Sequence, residues 1–140
     1  MQLTSVFSFA LLSTLSIAAP FRTLSKSSPS PALTWHVSDF TAGCSPGGCV
    51  YNFHIAGVAT PNTPGFNTTC SGTTGQDDYQ PCRDQQISAT VKPESPPQWS
   101  VDVQHGWTKD QAEFWAVGNA NTTAPAKNFK IPVTEQYGVA

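Results

Sequence analysis

The sequence predicts an all-β protein: a small, single-domain antiparallel β-barrel, or a barrel-like sandwich, of about seven or more strands. Apolar side chains recur at every second position along several runs, as they do in strands that bury one face. Segments rich in proline and glycine separate these runs and supply the turns. A chain of 140 residues suits one domain with one hydrophobic core.

Seven runs are predicted strands. In four of them the alternation is strict, with aromatic or β-branched residues on one face. In the other three it is weaker. The strict runs are residues 51–55, 87–91, 99–103 and 129–133; the weaker ones lie around Trp35 and Val37, around Phe66 and Thr68, and over residues 112–118.

Pro132 interrupts the last of these runs. Proline has no N–H group, so it cannot donate a hydrogen bond to a neighbouring strand. We therefore expect this strand to lie at an edge of the sheet, or its proline to sit where the missing N–H would point away from the ladder.

The chain carries little charge. Only 11% of its residues are charged, which gives a net charge of −2 and an isoelectric point near 5.8. Proteins that bind nucleic acid or anionic membranes present a basic surface, and this composition does not supply one. Neither nucleic acid nor membrane is expected as a partner.

The N-terminal residues have the pattern of a secretory signal peptide. An apolar stretch at residues 6–15 leads into a small-x-small cleavage pattern that ends at Ala18. Cleavage is predicted after Ala18, because a cut one residue later would place Pro20 directly behind the scissile bond. The stretch is far shorter than the roughly 20 residues that span a bilayer. We expect a secreted, extracellular protein with a signal peptide at 1–18, a flexible arm at 19–33 and a β-barrel domain at 34–140.

Two predicted glycosylation sites fit the same secretory route. Asn67 and Asn121 each begin an Asn-Thr-Thr triplet, which is an acceptor sequence for N-linked glycans. Glycans added during eukaryotic secretion would help to keep a surface with few charges in solution.

Four cysteines in a short exported chain predict two disulfide bonds. Spacing alone does not choose among the three possible pairings. Pairing between neighbours is attractive, because Cys44 and Cys49 bracket a Ser-Pro-Gly-Gly turn and Cys70 and Cys82 bracket an eleven-residue polar loop. The spacing does not form the paired knuckles of a zinc site, so no metal or other cofactor is expected.

Several short motifs follow one another in an order that resembles a known family. They are W-x-V-x-x-F from Trp35, CVYNFHIAG at 49–57, PGF at 64–66 leading to CSG at 70–72, Tyr79 shortly before Cys82, and ISATV at 87–91. Together they resemble the Alternaria-major-allergen-like family of fungal secreted β-barrel proteins, which includes elicitors of the plant hypersensitive response. The resemblance covers about residues 34–139.

The resemblance implies a compact antiparallel barrel without an established catalytic centre, recognised by plant or animal immunity and in contact with plant defence proteins. It implies a central bridge between Cys70 and Cys82, and an extra hairpin bridge between Cys44 and Cys49 as in the elicitor branch. The allergen branch has a cysteine that links two chains and a further bridge near its C-terminus, and this sequence has neither. We therefore expect a monomer or a weak non-covalent dimer.

The carboxylates of this sequence give little indication of a catalytic site. Asp77 and Asp78 could face Asp39, Asp84 or Glu94 as in a glycoside hydrolase, but a solvated acidic loop explains them more simply. A wall-active hydrolase is therefore the weakest of three functional hypotheses. No catalytic residue and no enzyme activity are predicted.

The histidines and two tryptophans are expected at the surface. His36, His54 and His105 fall on the polar phase of predicted strands or at their ends, so we expect them to be exposed or at the rim. Trp107 follows the predicted end of a strand. Trp115 is out of phase with Phe114 in the alternation of its run. Both are therefore candidates for an exposed contact surface.

The leading hypothesis is a secreted effector or elicitor that acts by contact with a host extracellular or defence-related protein. The alternative is an extracellular carrier that holds a small apolar guest in the barrel. A barrel interior filled by side chains would exclude a central cavity. The side chains predicted to fill it are Trp35, Phe53, Ile55, Trp99 and Val101.

Overall fold

The computed structural model describes residues 25–27, 33–74 and 78–139. Within these residues the regular structure is all β, as predicted. The strands are β1 (Ser25–Ser27), β2 (Thr34–Ser45), β3 (Gly48–Gly57), β4 (Phe66–Thr73), β5 (Gln80–Pro81), β6 (Ile87–Pro93), β7 (Gln98–Lys109), β8 (Ala112–Thr123) and β9 (Ala126–Val139).

Eight strands form a nearly closed antiparallel barrel in the order β4-β3-β2-β9-β8-β7-β6-β5, and β1 pairs with β9 outside this path. The seam lies where β4 approaches β6. There the Arg83 N–H donates to the Thr69 carbonyl oxygen at 3.0 Å, and the Asp84 N–H donates to Thr68 Oγ1 at 2.8 Å. The Cys70–Cys82 disulfide also crosses the seam, so a covalent bond helps to close the barrel.

The barrel interior is filled by the apolar faces that the alternation predicts. All seven predicted strands are present, and the structure extends each of them. In β7 the buried positions continue at every second residue from Trp99 to Trp107. The largest side chains that are almost fully buried include Trp35, Phe40, Phe53, Ile55, Ile87 and Ile131.

Within the segment predicted as a flexible arm at 19–33, residues 25–27 form the short strand β1. β1 pairs with the segment from Gln136 to Gly138 in β9. The pairing of β2 with β9 ends at Thr34 opposite Pro132, which leaves the rest of β9 with a backbone edge that β1 covers. Leu33 is also buried, and its carbonyl accepts the Val133 N–H at 3.1 Å. The predicted signal peptide lies outside the described residues.

Pro132 lies on an interior strand, so the prediction of an edge strand is wrong. β9 is paired with β2 on one side and with β8 on the other. The Val133 N–H points towards β2, and because successive N–H groups alternate, the Pro132 nitrogen faces β8. The β8–β9 pairing shifts register between Val117 and Gly118, beside this position. A bulge is the place where an interior strand tolerates proline.

Each disulfide joins two cysteines that follow one another in the order of cysteines along the chain. Cys44 and Cys49 face each other across the β2–β3 hairpin, which the Ser45–Gly48 turn closes. Together with the Cys70–Cys82 bridge, they leave no free cysteine in the described part of the chain. Two disulfides are compatible with an extracellular protein. Among the described residues, no helix has the length and apolar character needed to cross a membrane.

Candidate functional site

The β7–β8 hairpin brings the candidate aromatic residues together at one end of the barrel. Asp110 and Gln111 at its tip have φ values of 52° and 66°, which suits the tight turns that match the twist of paired strands. Trp107 is directly opposite Phe114 in the ladder, and their rings stack with centroids 5.8 Å apart. Trp115 is opposite Gly106, so it projects from the other face of the sheet.

Trp107 is buried, contrary to the expectation of an exposed ring. Only 8% of its surface is exposed. The predicted strand ends too early. In β7 the alternation of buried side chains at Val101 and Val103 continues through His105 to Trp107. Trp115 is half-buried on the outer face, where the five-membered part of its indole lies over Gly106. A Cβ at Gly106 would approach Trp115 Cδ1 and Nε1 to 3.2 Å, so the glycine lets the ring lie close to the sheet.

His105 is also buried, which corrects the expectation of an exposed or rim histidine. It is fully inaccessible, with ring centroids 4.8 Å from Phe66 and 4.9 Å from Trp107. Burial lowers the pKa of His105 to about 4, against a smaller opposing effect of the Asp84 carboxylate. The ring is therefore neutral at physiological pH.

Three nitrogens in this cluster lack partners. Within the described residues, no hydrogen-bond partner meets Nδ1 or Nε2 of His105, or Nε1 of Trp107. Buried polar groups are nearly always paired, and these three atoms have almost no accessible surface, so their burial without partners costs free energy. His36 and His54 line a cavity on the outer face of β2 and β3, so the three histidines do not converge.

An outer groove of about 370 Å³ runs along β6, β7 and β8 beside Trp115. Its lining mixes an indole with amide, hydroxyl and carboxylate groups, and Glu113 is its only charged lining residue. We call this cavity the outer groove; its polar side chains and indole are those of Gln85, Gln86, Ser88, Gln104, Glu113 and Trp115.

A second cavity, the barrel-end pocket, has a volume of about 460 Å³. It lies between the loop at residues 58–65, the β7–β8 hairpin and the end of β9. Trp107 forms part of the wall of both cavities. The lining of the barrel-end pocket includes Asn62, Thr63, Trp107, Lys109, Asp110 and Phe114.

The carboxylates considered for hydrolysis lie in separate parts of the fold. Asp39 is exposed at the irregularity in β2, and Glu94 is exposed in the turn after β6. Asp84 has a local structural role, because its Oδ1 accepts the Gln86 N–H at 3.0 Å. Asp78 is exposed, and Asp77 lies outside the described residues. The described ranges contain no group of three acidic, histidine or cysteine side chains that could hold a metal ion.

A guest at the centre of the barrel would have to displace the core. The five side chains predicted to fill the interior are all buried, at most 8% exposed. The central-cavity form of the carrier hypothesis is therefore wrong, and any small-molecule site lies nearer the surface. These side chains are Trp35, Phe53, Ile55, Trp99 and Val101.

Asn67 and Asn121, the predicted glycan acceptors, are both exposed. Asn67 lies on β4 and Asn121 on β8, rather than in loops. Both side chains are thus accessible in the folded domain.

Sequence reasoning missed the His105–Trp107 cluster and the barrel-end pocket. One signal pointed to the cluster: positions 99, 101, 103, 105 and 107 share one phase of an alternating strand. The pocket has no local signal, because its walls come from segments far apart in sequence. Comparison with known proteins adds no functional assignment: no protein-family model matches the chain, and no curated protein or solved structure is significantly similar to it.

Proposed function

We propose that this chain is a secreted fungal effector- or elicitor-like protein that acts by contact with a host extracellular or defence-related protein. Plant immunity recognises it, or animal immunity recognises it as an allergen. The observation that carries the proposal is the position of the two disulfides. Cys70–Cys82 closes the barrel and Cys44–Cys49 closes a hairpin, which are the bridges implied by the resemblance to the Alternaria-major-allergen-like family.

The outer groove supports a role in protein contact. Protein interfaces are anchored by aromatic side chains with a polar edge, surrounded by groups that exchange hydrogen bonds. Trp115 supplies such an anchor, since its indole lies over Gly106 on the outer face and is partly exposed. Gln104 and Glu113 lie in the same groove and offer amide and carboxylate partners. Trp115 is thus the central residue of the proposed contact surface, while the buried Trp107 supports the wall behind it.

Leaf infiltration with the purified, oxidised mature protein tests the function. We expect a defence response, such as local cell death, that a Cys70→Ser, Cys82→Ser variant fails to induce at the same dose. The variant loses the bond across the barrel seam, so the response should depend on the folded barrel. A folded wild-type protein that induces no response in any host tested would contradict the proposal.

A second comparison tests the contact surface. Trp115→Ala should reduce the response at least tenfold in dose, because central aromatic residues dominate the free energy of protein contacts. Val50→Ala is the matched control, since Val50 is an exposed apolar residue on β3, outside the outer groove. Thermal unfolding followed by circular dichroism would establish that both variants fold. Equal responses from both folded variants would exclude Trp115 from the contact.

A further inference from the structure

The outer groove contains the most accessible of the four tryptophans. The other three are at most 8% exposed, whereas Trp115 is partly exposed on the outer face of the sheet. It lies directly opposite Gly106 in the β7–β8 ladder, and its indole occupies the space that a side chain at Gly106 would fill. The ring therefore lies close to the sheet, and its exposed part gives the groove an apolar surface.

Hydrogen-bonding side chains lie on both sides of this indole. Gln104 and Thr108 are each two residues from Gly106 on the outer face of β7, about 7 Å away in opposite directions. Ser88 is opposite Gln104 in the β6–β7 ladder, and Glu113 is opposite Thr108 in the β7–β8 ladder. All four side chains line the outer groove. The groove thus surrounds an aromatic ring with amide, hydroxyl and carboxylate groups.

These four polar side chains are available to a ligand. Within the described residues, the structure gives none of them a hydrogen-bond partner in the protein. Farther along the same outer face the polar groups bond one another instead: Asn119 Nδ2 donates to Asp102 Oδ1 at 2.7 Å and to Ser100 Oγ at 3.3 Å. The unused hydrogen-bonding capacity of this face is therefore concentrated around Trp115.

The charge of the outer groove favours an uncharged ligand. Glu113 is the only charged residue of the lining, and it is exposed. A lone carboxylate repels anions, and because it is in contact with water it attracts a cation only weakly. A purely apolar ligand would cover the polar side chains without giving them partners, which costs free energy. The groove is best matched by a neutral molecule that carries many hydroxyl groups.

A glucose-type sugar has both kinds of surface that this groove complements. Its hydroxyl groups are equatorial and project around the rim of the ring, so each face of the ring presents mainly C–H groups. Such a face packs against an indole as other apolar surfaces do. The rim hydroxyls both donate and accept, which suits the amide, hydroxyl and carboxylate groups beside the indole.

We infer that the outer groove binds an uncharged saccharide of glucose-type units, with one sugar ring against Trp115 and its hydroxyls on Gln104 and Glu113. The volume of the groove, about 370 Å³, lies within the range of small-molecule sites. The inference goes beyond the proposed protein contact, because a free sugar needs no partner protein. Both ligands use Trp115, so a bound sugar and a bound protein exclude each other.

Cellotriose, a neutral chain of three β-linked glucose units, is the probe. Titration into the mature, oxidised protein should change the tryptophan fluorescence saturably and reduce its quenching by acrylamide, since the sugar covers the most accessible indole. The corresponding trimer of glucuronic acid, which adds only carboxylates, should bind at least tenfold more weakly. Absence of saturable cellotriose binding up to about 10 mM, or equal or tighter binding of the acidic trimer, would overturn the inference.

Trp115→Ala tests the position of the sugar ring. The variant loses the aromatic surface, so cellotriose binding should weaken at least tenfold in isothermal titration calorimetry, which does not depend on the tryptophan signal. Tyr79→Ala is the matched control, because Tyr79 is an exposed aromatic residue outside the outer groove. Circular dichroism should show both variants folded. Unchanged affinity in folded Trp115→Ala would place the sugar elsewhere and overturn the assignment.

Gln104→Ala tests the hydrogen bonds without altering the indole. Cellotriose binding should weaken about fivefold, the effect of one hydrogen bond. Gln98→Ala should bind as the wild type does, because Gln98 lies on the same strand and the same outer face but does not line the groove. Equal affinities in the two variants would overturn the contact with Gln104.

The leaf assay and the sugar titration separate this inference from the proposed function. A protein that elicits the leaf response but does not bind cellotriose would overturn the sugar site and leave the proposed function standing. A protein that binds cellotriose at Trp115 but elicits no response would contradict the proposed function and support the sugar site.

Discussion

His105 is a polar residue inside an otherwise apolar part of the core. Its neighbours include the rings of Phe66 and Trp107, and its two nitrogens have no partners among the described residues. Such a position costs stability that an apolar residue would not cost, which makes His105 unusual among core residues. The burial of His105 also gives the stability of the fold a dependence on pH.

Stability should fall as the pH drops from about 6.5 to about 4. In the unfolded chain His105 takes up a proton with the ordinary pKa of 6.5, whereas burial lowers its folded pKa to about 4. Between these values the unfolded state binds more protons, so stability is complete above pH 6.5 and is lost as the pH falls. A shift of this size corresponds to about 3 kcal/mol. Urea unfolding at a series of pH values measures it.

His105→Leu should flatten this pH dependence, and His36→Leu should leave it unchanged. His36 is the matched control because its side chain is exposed on β2. Acid sensitivity in His105→Leu equal to that of the wild type would assign the effect to other groups.

The positions of β9 and β4 in the barrel depend on long-range strand pairing and not on local sequence pattern alone. β9 lies between β2 and β8 despite Pro132, because the register shift at Gly118 removes the need for the missing N–H. A side chain at Gly118 would bring its Cβ within 2.7 Å of the Pro132 carbonyl oxygen, so the glycine allows this close approach. β4 stands at the seam, where the Cys70–Cys82 bond takes the place of a continuous ladder.

The seam disulfide should contribute more to stability than the hairpin disulfide. Cys70–Cys82 closes the longer loop and is buried, whereas Cys44 is exposed near the hairpin turn. In the chain-entropy account, the two bridges contribute about 3 and about 2 kcal/mol respectively. Cys70→Ser with Cys82→Ser should therefore lower the free energy of unfolding more than Cys44→Ser with Cys49→Ser.

Denaturant unfolding of both double variants, with the wild type alongside, measures the difference. A larger loss from the hairpin pair would mean that the barrel seam is held mainly by packing and by the backbone hydrogen bonds of Thr69 and Arg83.

The whole molecule combines a packed interior with surface cavities, and two of these, the outer groove and the barrel-end pocket, share the lining residues Trp107 and Phe114. Trp107 and Phe114, whose rings stack on each other, therefore contribute to the walls of both cavities. The proposed contact surface around Trp115 thus lies beside the barrel-end pocket, at one end of the barrel.

We expect the protein to be exported, to begin at Ala19 after processing and to carry N-linked glycan. The signal-peptide pattern predicts the new N-terminus, and the exposure of Asn67 and Asn121 allows attachment on the folded domain. Intact-mass analysis of protein from a fungal host, before and after enzymatic removal of N-glycans, measures both. Asn67→Gln and Asn121→Gln should each remove one glycan from the mass. A mass that equals the bare chain and does not change on treatment would contradict glycosylation.

The chain's local patterns determined the all-β class and seven of its strands. Period-two alternation requires only neighbouring residues, and the short separations of Cys44 from Cys49 and of Cys70 from Cys82 favour local pairing. The tertiary structure decided what depends on distant partners. It placed β9 between β2 and β8, added β1 to the exposed edge of β9, and buried His105 and Trp107. It also built the barrel-end pocket, because a cavity exists only where segments far apart in sequence meet.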